Sequence, residues 1–190
     1  QDEIEKLVDP EAVMKMFVVR GYIDDWDSIS LRRGKNGYMY RRADDGKFQF
    51  LQWDSDLTFG NASASFYQGL PQVNTYIRKP YNLRLFYYYL TELLEKYTHE
   101  SPRMTAWLEE EERASRDYTI NERTYTNWFR SRETKGTSLM QRYNNRPLEV
   151  TTSGGIDFET NQDTLVLKGS SSPGIFEVRI KGQPQTVFQR

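Results

Sequence analysis

Val13, Phe17 and Val18 fall on one face of a helical repeat in "LVDPEAVMKMFVVRGYIDD", the signature of an amphipathic helix. Asp9 is placed to cap that helix and Pro10 suits its first turn. Gly21 is expected to mark its exit. The period then drops to two. In "NGYMYRRADDGKFQFLQWD", Tyr38 and Tyr40 alternate on one arm and Phe48 and Phe50 on the other. With Asp45-Gly46 between the arms, this predicts a β-hairpin. "NASASFYQGLPQVNTYIRKP" scatters Gly, Pro, Ser and Asn and reads as loop. Helical spacing returns in "YNLRLFYYYLTELLEKYT", through Leu83, Phe86, Leu90, Leu93, Leu94 and Tyr97. A further helix starts at Ser101 as N-cap with Pro102 behind it, and "NERTYTNWFRSRETKGTSLMQRYNN" predicts another. The texture changes at Pro147. Beyond it, Leu165 and Leu167 alternate, as do Phe176, Val178 and Ile180, between Gly, Ser, Asn and Pro turns. Short strands at such intervals predict a small β-sandwich-like, Ig-like module, with few residues for a full set of strands. The expected division is a helical and hairpin domain over 1–146 and a β module over 147–190, α+β in class.

Composition narrows what such a chain can do. A 14% aromatic content is too high for a disordered chain. A net charge of −1 supplies no field toward nucleic acid or an anionic membrane. The chain has no cysteine, which excludes disulfides, thiolate metal sites and thiol nucleophiles. Its single histidine, His99, excludes zinc sites built on histidine pairs. His99 lies in "EKYTHESPR" and reads as a solvated capping residue at a helix end rather than a catalytic base. No apolar run is long enough for a membrane span, and no signal peptide is visible. Because "QDEIEKLVDPEA" opens without methionine on what reads as mid-domain sequence, a mature, cleaved or truncated polypeptide is expected.

Three polar positions bracket the hairpin. Asp27 follows the first helix in "DDWDS", Asn36 opens the first arm, and Asp54 closes the second. A hairpin between Asn36 and Asp54 brings its outer ends together, and Asp27 lies a short loop before Asn36. The strand "FQFLQWDSD" is expected to be buried, so Asp54 and Asp56 at its end call for a bound partner or a polar turn. Oxygen donors of this kind suit Mg2+ or Mn2+, and a further carboxylate can accept a proton from an attacking hydroxyl. Equally, Asp and Asn at element ends serve as caps and turns. "RRGK", residues 32–35, is a basic loop beside the candidate site, suited to phosphates or an acidic substrate. The aromatics of "LRLFYYYLTELL" are core residues, and "WLEEEERASRD" is a solvated helix face.

The ordered series "DDWDS" then "KNGYMYRRADDGKFQFLQWDSDLTFG" resembles the kinase domain of the spore coat protein H (CotH) family. With its flanking helices the likeness spans roughly residues 8–140. The resemblance implies an atypical protein-kinase-like C-terminal lobe. It implies that Asp54 in "QWDSD" binds metal, that Asn36 in "KNGYMY" is a second metal ligand, and that Asp27 in "DWDS" is the catalytic aspartate. Asp56 either supports the site or caps the turn. Trp53, Phe59 and Gly60 are expected to pack and turn. Gln52 stands where the family has proline, Gly37 where it has tyrosine, and Asp25 where it has asparagine.

The family's ATP-binding N-terminal lobe is expected upstream, and no glycine-rich loop or suitable lysine-bearing strand precedes residue 8. A partner fragment is one way to complete the site. The implied activity is transfer of the ATP γ-phosphoryl group to Ser or Thr of a secreted or coat protein, with Mg2+ or Mn2+. The rival expectation is an inactive structural or adhesive component of an extracellular or cell-surface assembly.

Overall fold

A computed structural model describes residues 2–67, 69–114, 122–144, 147–172, 175, 178–181 and 183–185. Two helices open the chain, α1 (Asp2–Leu7) and α2 (Pro10–Tyr22), followed by the hairpin β1 (Gly37–Arg41) and β2 (Phe48–Gln52). Then come α3 (Pro71–Ile77), α4 (Pro80–Lys96), α5 (Pro102–Ala114) and α6 (Glu122–Asn144). The C-terminal segment carries β3 (Glu149–Val150), a 3-10 turn over Thr152–Gly155, β4 (Gly169–Ser170), β5 (Val178–Ile180) and β6 (Gln183–Gln185). The class is α+β.

Helix α2 is the spine of the fold. Its start is the expected one: the Asp9 side chain accepts from the Glu11 amide at 3.0 Å and Pro10 sits in the first turn. Val13, Met14, Phe17 and Val18 are buried against α4, which also packs on α6. Gly21 is not an exit. It lies inside the helix, and a Cβ there would come within 2.0 Å of the Phe66 carbonyl oxygen. Glycine is required because another stretch of backbone crosses at contact distance.

The structure moves several expectations. Within the stretch read as loop, Pro71–Ile77 forms α3. Ile77 is buried in the core, and the Asn74 amide closes on the backbone of Gly69 at both its N–H and its carbonyl. A polar residue that reads as a loop former here ties the loop to the helix. In α4 the buried set is Asn82, Leu85, Phe86, Tyr87, Tyr89 and Leu90, while Tyr97 is exposed. The face turns because α4 is sandwiched between two helices and must bury more than one stripe. The hairpin is antiparallel with Met39 opposite Phe50 and Tyr40 opposite Gln49. It is open to solvent on much of both faces; only Phe48, Phe50 and the strand edge at Val8 approach α2, with the Phe50 ring edge-on to Phe17 at 6.5 Å.

His99 is also not a solvated cap. It is only 13% exposed; Glu133 of α6 accepts from its backbone amide and lies 2.7 Å from its Nδ1. Arg130 donates to Nε2 at 3.1 Å. That triplet pins the α4–α5 connection to α6. Ser101 does cap α5, accepting from the Met104 amide at 3.2 Å.

Among the described residues all the buried apolar core residues lie between Val13 and Met140. Beyond Pro147 the described residues form two separate two-stranded ladders, β3–β4 and β5–β6. Leu165 and Leu167 are exposed and outside any strand, so alternation there does not mark a ladder. Phe176 lies outside the described residues. Arg84 of α4 reaches the Ile175 carbonyl at 3.3 Å, joining this segment to the helices.

Gly21→Ala is expected to lose about 1–3 kcal/mol of stability, the range for forced overpacking, read as a fall in urea midpoint. Unchanged stability would mean that Phe66 moves freely. A second expectation concerns pH. The Glu11 carboxylate is held below its ordinary 4.5 by hydrogen bonds from Lys15 and from the Tyr89 hydroxyl, the latter at 2.5 Å. Folding therefore favours its charged form. The stability it contributes is present above pH 4.5 and is lost as pH falls through the lower folded value. Glu11→Gln should give a shallower decline of stability between pH 5 and 3; a slope identical to the parent would exclude this linkage.

Candidate functional site

The C-terminal end of α2 organises everything around the three predicted positions. Arg20 follows Val13 and Phe17 on the core-facing stripe and is 1% exposed. Its guanidinium pairs with the fully buried Asp25 and donates to the carbonyls of Asn36 at 2.9 Å, Trp53 at 3.3 Å and Asp54 at 3.3 Å. One side chain thus gathers both outer ends of the hairpin and the loop after α2. Burial pulls the Arg20 guanidinium below its ordinary value, and the nearby Asp27 and Asp54 carboxylates oppose that fall.

Asp27 is 1% exposed. Ser28 bridges to Lys35 in parallel fashion, which brings the loop back, and Lys35 Nζ lies 3.2 Å from Asp27 Oδ2. Asp27 Oδ1 is buried without a hydrogen-bond partner, and so is Asn36 Nδ2. An unpartnered buried carboxylate oxygen is uncommon and is a reason to look for a ligand. Asp54 behaves differently. It is exposed, and its Oδ1 accepts from the Asp56 amide at 3.2 Å. Asp56 is exposed too. The expectation of a buried strand forcing two carboxylates into a dry site is therefore corrected: β2 is a solvated strand, and Asp54 and Asp56 bear little burial penalty. Trp53 is likewise 59% exposed, its ring 5.8 Å from that of Tyr38, rather than packed inside.

Backbone strain concentrates at the same place. Asp24, Asn36, Asp54 and Phe59 all have left-handed φ, at 50°, 58°, 55° and 57°. Asn and Asp tolerate this region; phenylalanine does so at a cost. Phe59 is held there by its amide donating to Ile23 at 2.7 Å and by rings of Tyr125, Trp128 and Phe129 within 5.6 Å. Strain of about 1–3 kcal/mol per residue gathers at sites that the surrounding fold over-determines.

A second buried arginine supports the other flank. Arg132 of α6 is fully buried and donates to the carbonyls of Gly21, Tyr22, Ala62 and Ala64, with its guanidinium 4.1 Å from the Phe66 ring centroid. It satisfies the end of α2 and fixes the 61–67 loop. Burial pushes its value down to about 10. Neither arginine stands out as a functional residue when chemistry is sought among acids and amides. The available signal is an arginine on the apolar stripe, Arg20 after Val13 and Phe17, and Arg132 after Trp128 and Phe129. Asp25 is the ion partner of Arg20.

The donor set around Asp27, Asn36 and Asp54 is of the hard oxygen type that magnesium and manganese accept. Among the described residues no three acidic or histidine side chains gather into a metal-holding group. The predicted set contains carboxylates and one amide only, so phosphate oxygens or water would have to complete it. None of the three lines the cavity of about 660 Å3, which lies elsewhere. Among the described residues no helix is long and apolar enough to cross a membrane.

Comparison with known proteins gives one result. The family model described as CotH kinase protein matches residues 1–150. No curated protein matches the chain, and neither does any solved structure.

Removing the organising charge tests the geometry. Arg20→Met should cost about 3–5 kcal/mol, because Asp25 is left buried and unpaired. Pairing it with Asp25→Leu should recover more than half of that loss in chemical unfolding. A double variant as unstable as the single would show that the carbonyl contacts, not the ion pair, dominate.

Proposed function

Because the chain belongs to the CotH kinase family, we propose that it acts in metal-dependent transfer of the ATP γ-phosphoryl group to a Ser or Thr hydroxyl of a protein. Residues 1–146 would serve as an atypical kinase-like C-terminal lobe, with 147–190 as an appended β module resembling a small sandwich. Among the described residues, confinement of the buried apolar core to Val13–Met140 supports that division. A secreted, coat or cell-surface setting fits the family name.

The observation that carries this reading is the convergence on Arg20. It holds the backbones of Asn36 and Asp54 together beside Asp27, whose Oδ1 has no partner. Asp54 and Asn36 would hold Mg2+ or Mn2+, which when bound neutralises charge on the phosphates. Asp27 would accept the proton of the acceptor hydroxyl. The hydroxyl oxygen forms the new bond to the γ-phosphorus as the bond to the bridging oxygen breaks and ADP departs. Lys35 now sits on Asp27 and is half exposed; it would exchange that carboxylate for nucleotide phosphates and so free Asp27.

A second reading is an inactive structural or adhesive component of a surface assembly. The Lys35–Asp27 pair favours it, since the catalytic carboxylate is already neutralised. Incubation of the chain with labelled ATP, Mg2+ or Mn2+ and dephosphorylated casein separates the two. The kinase reading expects metal-dependent incorporation that falls about 10²-fold or more in Asp27→Asn and is lost in Asp54→Ala. Equal incorporation by parent and variants, or none from any of them, leaves the structural reading.

A further inference from the structure

The cavity of about 660 Å3 lies between the 65–78 segment and α6, and three cationic side chains border it: Arg78, Lys135 and Arg142. Among the described residues no carboxylate lines it. Arg78 caps the end of α3 and Arg142 occupies the last turn of α6. A helix C-terminus accounts for either arginine alone, but not for both facing one cavity together with Lys135. Among the described residues neither arginine has a side-chain hydrogen bond or ion pair. Lys135 spends one donor on the Ser63 carbonyl at 2.6 Å and retains others. Elsewhere on this chain Arg42 pairs with Asp44 and Asp45 and Arg113 with Glu110, while exposed Arg33 and Arg103 lie over the rings of Trp26 and Tyr97.

Two unpaired arginines lining one cavity match a doubly charged oxyanion, which planar guanidinium forks can grip with parallel hydrogen bonds. The volume far exceeds one such anion and falls in the range of ligand pockets. The remaining walls include Phe66, Tyr67 and Leu139. A nucleotide base would need a free ring to stack on. Phe66 is 2% exposed with the Arg132 guanidinium over its face, and Tyr67 packs edge-on to Phe86 at 5.3 Å. The aliphatic and ring-edge surface that remains suits side chains flanking a phosphorylated residue.

We propose that this groove binds a phosphoserine- or phosphothreonine-bearing protein segment, with Arg78 and Arg142 on the phosphate and Lys135 beside them. Neither Asp27 nor Asp54 lines the groove, and its use requires no nucleotide or metal.

The test is fluorescence anisotropy with a labelled peptide pool carrying a central phosphoserine and degenerate flanks, against the same pool with serine. The phosphorylated pool should bind about tenfold or more tightly, and binding should weaken with salt. Arg78→Ala/Arg142→Ala should lose that advantage while keeping the parent melting temperature, since both side chains are exposed and unpaired; Arg142→Glu alone should do the same. Asp54→Ala should bind as the parent does, which separates this groove from the phosphotransfer site. Equal affinity for the two pools, or binding unaffected by the double substitution, overturns the proposal. So does displacement of the peptide by inorganic phosphate or AMP at concentrations near the peptide's own Kd, which would assign the cations to a small anion instead.

Discussion

The Arg20 guanidinium, buried at the end of α2 and neutralised by Asp25, is the contact on which the hairpin's position depends. The hairpin itself has little else to hold it. Two strands alone are marginal in water, and both faces here are substantially solvated apart from Phe48 and Phe50. Three backbone carbonyls from its two ends converge on one cation instead. A buried ion pair is a poor source of net stability, because desolvating two charges offsets their attraction. Its value here is geometric. An arginine has several donors fixed in a plane, so it can set the relative positions of Asn36, Trp53 and Asp54 in a way no apolar contact can.

The same end of α2 receives Arg132 from the other side. Its donors go to the carbonyls of Gly21 and Tyr22, which a helix end leaves unsatisfied, and to the 61–67 loop. Gly21 permits the Phe66 backbone to pass, and the left-handed residues Asp24 and Phe59 turn the chain around the junction. Two buried arginines therefore make a polar hub in which loops carry the side chains and helices carry the arginines. This division fits a site placed on loops over a rigid scaffold.

Charge is paired in one part of this scaffold and left unpaired in another. Near the hairpin, the carboxylates Asp24, Asp25, Asp27 and Asp54 are balanced by Arg20, Arg132 and Lys35. At the cavity, Arg78, Lys135 and Arg142 have no acidic counterpart among the described lining residues. A net charge of −1 conceals this segregation. Local pairing, not total charge, decides which surface can receive an anion.

Sequence alone determined the local elements whose signals are local. The Asp9-Pro10 start of α2, the Ser101-Pro102 start of α5 and the Asp45-Gly46 hairpin each follow from a few neighbouring residues and their backbone preferences. Motif order over residues 26–60 also pointed to the family matched over 1–150. Tertiary structure decided what depends on partners distant in the chain: α3 within an apparent loop, the buried stripe of α4, the solvent exposure of Asp54 and the burial of Asp27. It also decided that His99 belongs to Glu133 and that two arginines stand inside the core. The physical reason is that burial and hydrogen bonding are properties of the space around a side chain. For Arg20 and Arg132 that space is built by carbonyls tens of residues away, which no local pattern encodes.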